Sequence, residues 1–180
     1  MNAKRSEHHS SRDGRRRPAC AKRQDRRHGI YSRDGLSPIT RLPRRLRLLA
    51  MTKVSGPSPY EALYGFSRAH RVGDRIFVSG TAPVEDDGSS TPGDAAAQAR
   101  RCFAIILKAI ADLGGTSADV VRTRMFIVDP ADADAVGSVH GELFADIRPA
   151  ATMVVVSALL RPEWRVEIEA EALVSQTRLP

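Results

Sequence analysis

Residues 165–173 alternate without a break. Val166, Ile168, Ala170 and Ala172 fall on one side, and Glu167, Glu169 and Glu171 on the other. Every second residue shares a face only in an extended strand. The segment therefore predicts a half-buried strand with one apolar face and one glutamate face. The apolar face needs a second layer to cover it, so the chain must also supply helices or another sheet.

That layer is legible upstream. Asp94 can cap a helix whose apolar positions Ala99, Phe103, Ile106, Ile110 and Leu113 recur at helical spacing until Gly114-Gly115 ends it. A second helix is expected over 132–144, with Val136, Val139 and Leu143 on its apolar face. Strands are expected at 66–72 and 75–79, joined through Gly73-Asp74 as a hairpin. A further strand is expected at 120–128, with Val121, Met125 and Ile127 facing one way and Arg122, Arg124 and Phe126 the other. Residues 150–159 predict a β-branched strand, with Thr152, Val154 and Val156 on one face and Met153, Val155 and Ser157 on the other. The resulting order is ββαβαββ, an α+β fold in which two helices pack on a mixed sheet.

Charge divides the chain. Residues 1–50 hold 15 Lys and Arg against 4 Asp and Glu, a net of +11; residues 51–180 hold 13 against 17, a net of −4. The basic character thus belongs to the first fifty residues, which are too poor in apolar groups to offset their ordering entropy and are expected to be disordered. Met51 leads directly into the domain and reads as the true start, the leader then reflecting an upstream start assigned in error. A targeting peptide and a nucleic-acid-binding arm are the alternatives. The domain, 51–180, is mildly acidic and lacks a basic–aromatic surface pattern, so nucleic acid is not the expected partner. No apolar run approaches the roughly 20 residues of a membrane-spanning helix. Cys20 and Cys102 form neither a disulfide framework nor a metal-binding spacing, which predicts a cytoplasmic setting with no metal and no cofactor.

Several segments together resemble the Rid family (RidA/YjgF-like proteins). They are Phe66-Ser67-Arg68-Ala69 with Val72-Gly73-Asp74, Ile76-Phe77-Val78-Ser79-Gly80-Thr81, Ala97-Gln98-Ala99-Arg100, Arg148-Pro149-Ala150-Ala151-Thr152 and Val166-Glu167-Ile168-Glu169-Ala170. The resemblance runs from about residue 66 to 174. It implies a chorismate-mutase-like fold and a homotrimer with small-molecule pockets between subunits. In imine-hydrolysing members an arginine grips the substrate carboxylate through a guanidinium fork, and a nearby glutamate directs water. Such a charge-assisted pair contributes about 1.5–3 kcal/mol and also fixes the reacting carbon.

Carried onto this chain, the resemblance makes Glu167 the catalytic, water-directing carboxylate. It places Phe66, Ser79, Gly80, Thr81, His140 and Ala151 around the substrate pocket. Phe66 stands where a tyrosine is common, His140 where the second helix carries an aromatic, and Ala151 where the carboxylate-gripping arginine belongs. Arg148, Arg124, Arg68 and Arg161 are the arginines that can be weighed as substitutes, the last two from a neighbouring subunit. The run Met153 to Val156 is expected in the barrel core, and Cys102 reads as a small helix residue. The expected function is binding or hydrolysis of a small metabolite, with simple 2-imino acids disfavoured by Ala151. A non-catalytic trimeric ligand-binding or regulatory module is the alternative.

Overall fold

A computed structural model describes residues 51–56, 58 and 60–174. Residues 1–50, and the expectations attached to them, lie outside the described residues. The chain runs β1 (Met51–Val54), α1 (Tyr60–Tyr64), β2 (Ala69–Val72), β3 (Arg75–Thr81), α2 (Ala95–Asp112), β4 (Val120–Ile127), α3 (Ala133–Phe144), β5 (Ala150–Val155) and β6 (Val166–Leu173). Short 3-10 turns at Ser117–Asp119 and Pro130–Asp132 introduce β4 and α3. From β2 onward the expected ββαβαββ order and α+β class are present. β1 and α1 add an N-terminal strand and a one-turn helix that the sequence pattern left unassigned.

All six strands join one sheet in the order β1-β2-β3-β6-β4-β5. The last strand in sequence is thus inserted between β3 and β4, antiparallel to both. Among the described strands, only β4 and β5 pair in parallel. Parallel neighbours need a crossover, and α3 supplies it. The β2–β3 hairpin turns at Gly73-Asp74, where Gly73 takes a left-handed φ of 63° that glycine adopts without steric cost.

The alternation of β6 explains its central place. Val166, Ile168, Ala170 and Ala172 are buried beneath the helices with Ile76, Val78, Met125 and Ile127 from the flanking strands. α2 covers them with Phe103, Ile106 and Ile110, and α3 with Val136, Val139 and Phe144. Phe103 and Phe144 meet edge-to-face at 5.5 Å and fasten the two helices together. Asp94 caps α2 by accepting from the Ala97 N–H at 2.8 Å.

The opposite face of the sheet lies away from the two long helices. Arg124 crosses it to Glu169 at 2.6 Å and Glu171 at 3.1 Å, among the half-exposed side chains of Phe77, Phe126 and Val154.

Three expectations are corrected. Val121 does not face inward with Met125 and Ile127. A register shift between Val120 and Arg122 breaks the alternation, so Val120 and Thr123 are buried and Val121 is exposed. On α3 the inward residue is Phe144 rather than Leu143, because the larger ring takes the gap beside Phe103. β5 ends at Val155, not Leu159. Beyond it the chain has one more sheet-like bond, from Val156 N–H to the Ile127 carbonyl, before leaving the sheet. Met153 to Val155 belong to the edge strand of the sheet, with Val154 and Val155 exposed in the single chain.

Two predictions follow from this packing. Phe103→Ala removes the ring shared by both helices and should cost about 3–5 kcal/mol in urea unfolding. Asp94→Ala should cost about 1 kcal/mol in the same measurement.

Candidate active site

The β3–β6 ladder is irregular at one point. Val78 pairs with Ala170 and Thr81 with Ile168, so Ser79 and Gly80 together face a single residue of β6. This bulge is tied from three sides. Ser79 N–H donates to the Arg68 carbonyl at 3.1 Å, Ser79 Oγ to the Ser67 carbonyl at 2.9 Å, and Thr81 Oγ1 to the Ser79 carbonyl at 2.8 Å. The Thr81 side chain is fully buried, so it shapes the bulge from the core side.

Glu167 rests on this bulge. A Cβ added at Gly80 would overlap Glu167 Oε1, so the missing side chain is what makes room for the carboxylate. Burial pushes the Glu167 carboxyl above the ordinary glutamate range, while Arg68 pulls it back and Glu169 adds to the rise. Arg68 donates from Nη2 to the Gly80 carbonyl at 2.6 Å. Cys102 is buried under the same strands, and burial pushes its thiol up, which suits a packing residue better than a nucleophile.

Glu167 keeps its register because the entry to β6 is anchored. Gln98 of α2 accepts from Arg165 N–H at 2.8 Å and donates to the carbonyls of Thr91 and Glu163. The Arg165 guanidinium forks onto Asp132 at 2.9 and 2.6 Å. A slip by one residue would place Glu167 in the core.

The other expected residues lie elsewhere. Ala151 pairs with Thr123, whose side chain is fully buried on the helix face. Thr123 Oγ1 lies 2.9 Å from His140 Nε2, and the imidazole packs against Phe103 and Phe144. Burial lowers the pKa of His140, keeping the ring neutral near pH 7. Glu167 pairs instead with Phe126, on the face away from the two long helices. One chain therefore assembles Ser79, Gly80 and Glu167 at one place and His140 and Ala151 at another, on opposite faces of the sheet. Phe66 is exposed just after α1, its N–H donating to the Glu61 carbonyl.

Within the chain, the weighed arginines are engaged away from Ala151. Arg124 is held by Glu169 and Glu171 on the other face. Arg148 adopts a φ of 50° after α3 and donates from Nε to the Ala145 carbonyl. Arg161 stacks over Trp164 at 5.3 Å. Arg68, weighed only as a neighbour's residue, belongs to the same chain's Glu167 cluster. Its signal in the sequence was its place one position before the buried Ala69, which sends it to the glutamate face. Thr123 carried no comparable signal.

The family model described as Endoribonuclease L-PSP matches residues 57–174. The chain belongs to this family, also called the Rid or YjgF family. The resemblance and fold expected from the sequence are thereby shown. An uncharacterised protein of Streptomyces coelicolor is 37% identical over 123 residues, 68% of this chain and 92% of its own length. The 3-aminoacrylate deaminase RutC of Acinetobacter baylyi is 35% identical over 100 residues, covering 55% and 79%. Among solved structures, a Mycobacterium tuberculosis member of the YjgF/YER057c/UK114 family matches with a TM-score of 0.63 and 43% identity, covering 69% of this chain and all of that one. TdcF of Escherichia coli with bound serine matches with a TM-score of 0.59 and 25% identity, covering 68% and 94%.

The burial of Glu167 has a measurable sign. A carboxyl whose folded pKa is raised binds more protons folded than unfolded, so its contribution to stability falls as pH climbs from about 4.5, the ordinary value, through the folded pKa. Glu167→Gln removes this term. The variant's stability relative to the parent should therefore be greater at pH 7 than at pH 4, as read by urea titration at both values.

Proposed function

We propose that this protein binds small imine- or enamine-type metabolites and hydrolyses them, with Glu167 directing the attacking water. The observation that carries this reading is the Glu167 carboxylate seated on Gly80, its proton affinity raised by burial. A carboxylate of raised proton affinity is suited to taking a proton from water and returning it to a leaving amine. The deaminase relative points to the same chemistry. Ser79 and Gly80 form the floor beside Glu167, and Phe66 is a candidate wall.

The pocket is proposed to be completed by a homotrimer. The sheet face away from the two long helices supports this, since Phe77 and Val154 are exposed there. Assembly through that face and the β5 edge would bring His140 and Ala151 of one subunit toward Glu167 of another. A cytoplasmic setting belongs to the same proposal; among the described residues no helix is long and apolar enough to cross a membrane.

The substrate is proposed to differ from simple 2-imino acids. Ala151 offers no guanidinium to a carboxylate, and losing one such pair removes about 1.5–3 kcal/mol of binding, or roughly ten- to a hundredfold. The same observation favours a second reading, a ligand-binding trimer without turnover.

Amino-acid oxidase can generate 2-imino acids in situ for assay of the full chain. Turnover should fall well below that of an arginine-bearing family member, and Ala151→Arg should raise it; equal rates before substitution would remove the argument from Ala151. On any substrate found, Glu167→Gln should reduce turnover by about a hundredfold or more. Gly80→Ala should do so with little change in melting temperature, because the flexible carboxylate can move aside but then loses its seat. If Glu167→Gln leaves turnover intact, the water-directing role is lost.

A further inference from the structure

We propose that Arg68 is a positioning residue for Glu167, holding the Gly80 carbonyl and so fixing the bulge on which the carboxylate rests. The inference rests on the reading of Glu167 given above and deepens it.

Three observations point to this role. Arg68 Nη2 donates to the Gly80 carbonyl at 2.6 Å, a short charge-assisted bond to the residue that makes room for Glu167. The side chain is largely enclosed, and its Nε is buried without a hydrogen-bond partner. An isolated guanidinium N–H is costly to bury, so packing alone does not account for an arginine here. Finally, the segment before β2 folds over it. The Glu61 carboxylate, itself buried, takes the Gly56 N–H on both oxygens at 2.9 and 3.0 Å, and Gly56 lies against the Arg68 stem. Arg68 thus stands between Glu61 of α1 and Glu167 of β6.

The charged and titratable groups around this point come from four elements. Arg68 precedes β2, Glu61 lies on α1, Cys102 on α2, and Glu167 and Glu169 on β6. Arg68 is the cation that acts on the Glu167 carboxyl, and it opposes both burial and Glu169. The same side chain therefore sets where the carboxylate sits and how readily it holds a proton. A guanidinium can do both because one arm binds the carbonyl while its charge acts on the carboxyl through space. A glutamine at this place can make the bond but not supply the charge; a lysine supplies the charge as a single point.

The experiment is an NMR titration of the Glu167 side-chain carboxyl carbon in the full-length protein, which needs no substrate. Arg68→Gln should raise the Glu167 midpoint by about one pH unit, as expected when a close opposite charge is removed. An unchanged midpoint in a folded Arg68→Gln protein overturns the proposal. Arg68→Lys provides the second arm if glutamine prevents folding. The midpoint should stay near that of the parent, while amide exchange at Thr81, in the peptide whose carbonyl is tethered, should accelerate about tenfold. Unchanged exchange at Thr81 would equally overturn it. A purely structural arginine would alter global stability without moving the Glu167 midpoint. Failure to find imine hydrolysis would count against the proposed function but leave this titration result intact.

Discussion

The fold depends on one strand being apolar on one side and acidic on the other. β6 lies between β3 and β4, and its four inward side chains form the strip on which both long helices lie. Small alanines at 170 and 172 and larger Val166 and Ile168 grade the depth of that strip. The same pleat sends Glu167, Glu169 and Glu171 to the far face, where the latter two meet Arg124. The candidate site is the end of this acidic row, at the point where the β3 bulge replaces a side chain with Gly80. Core and site are consequences of a single two-residue period, and neither can slip without the other.

Much of this is legible in the sequence. The period of β6, the helical spacing of Phe103, Ile106 and Ile110, and the Gly73-Asp74 turn are local signals, so they named their elements correctly. Val121 departs from the alternation of its strand because a bulge is a property of two paired strands, and one strand's sequence does not display its partner. Leu143 and Phe144 are adjacent apolar residues, and only the position of Phe103 decides between them. The short α1 and β1 owe their conformation to long-range pairing and to the Glu61–Gly56 bonds, which leave little trace in periodicity.

The site was legible unevenly for a similar reason. Glu167, Ser79 and Gly80 lie within two motifs that pair directly, so the strand register alone unites them. His140 and Ala151 share Thr123 as a neighbour but sit on the other face. The cluster gains a cation from Arg68, one residue outside the regular strand. Ala151 and Arg68 thus lie at separate places. Arg68 is already bonded to Gly80 and is unsuited to replacing a ligand clamp.

Ala151 has a second consequence, unrelated to ligands. β5 is an edge strand, and edges with long apolar side chains invite unwanted strand addition from other chains. Thr152, Val154 and Val155 give this edge high strand propensity. A positive charge at position 151 would discourage such pairing while the subunit is alone. With alanine there, no charge at that position deters strand addition, and the exposed Val154 and Val155 mark where an added strand would settle.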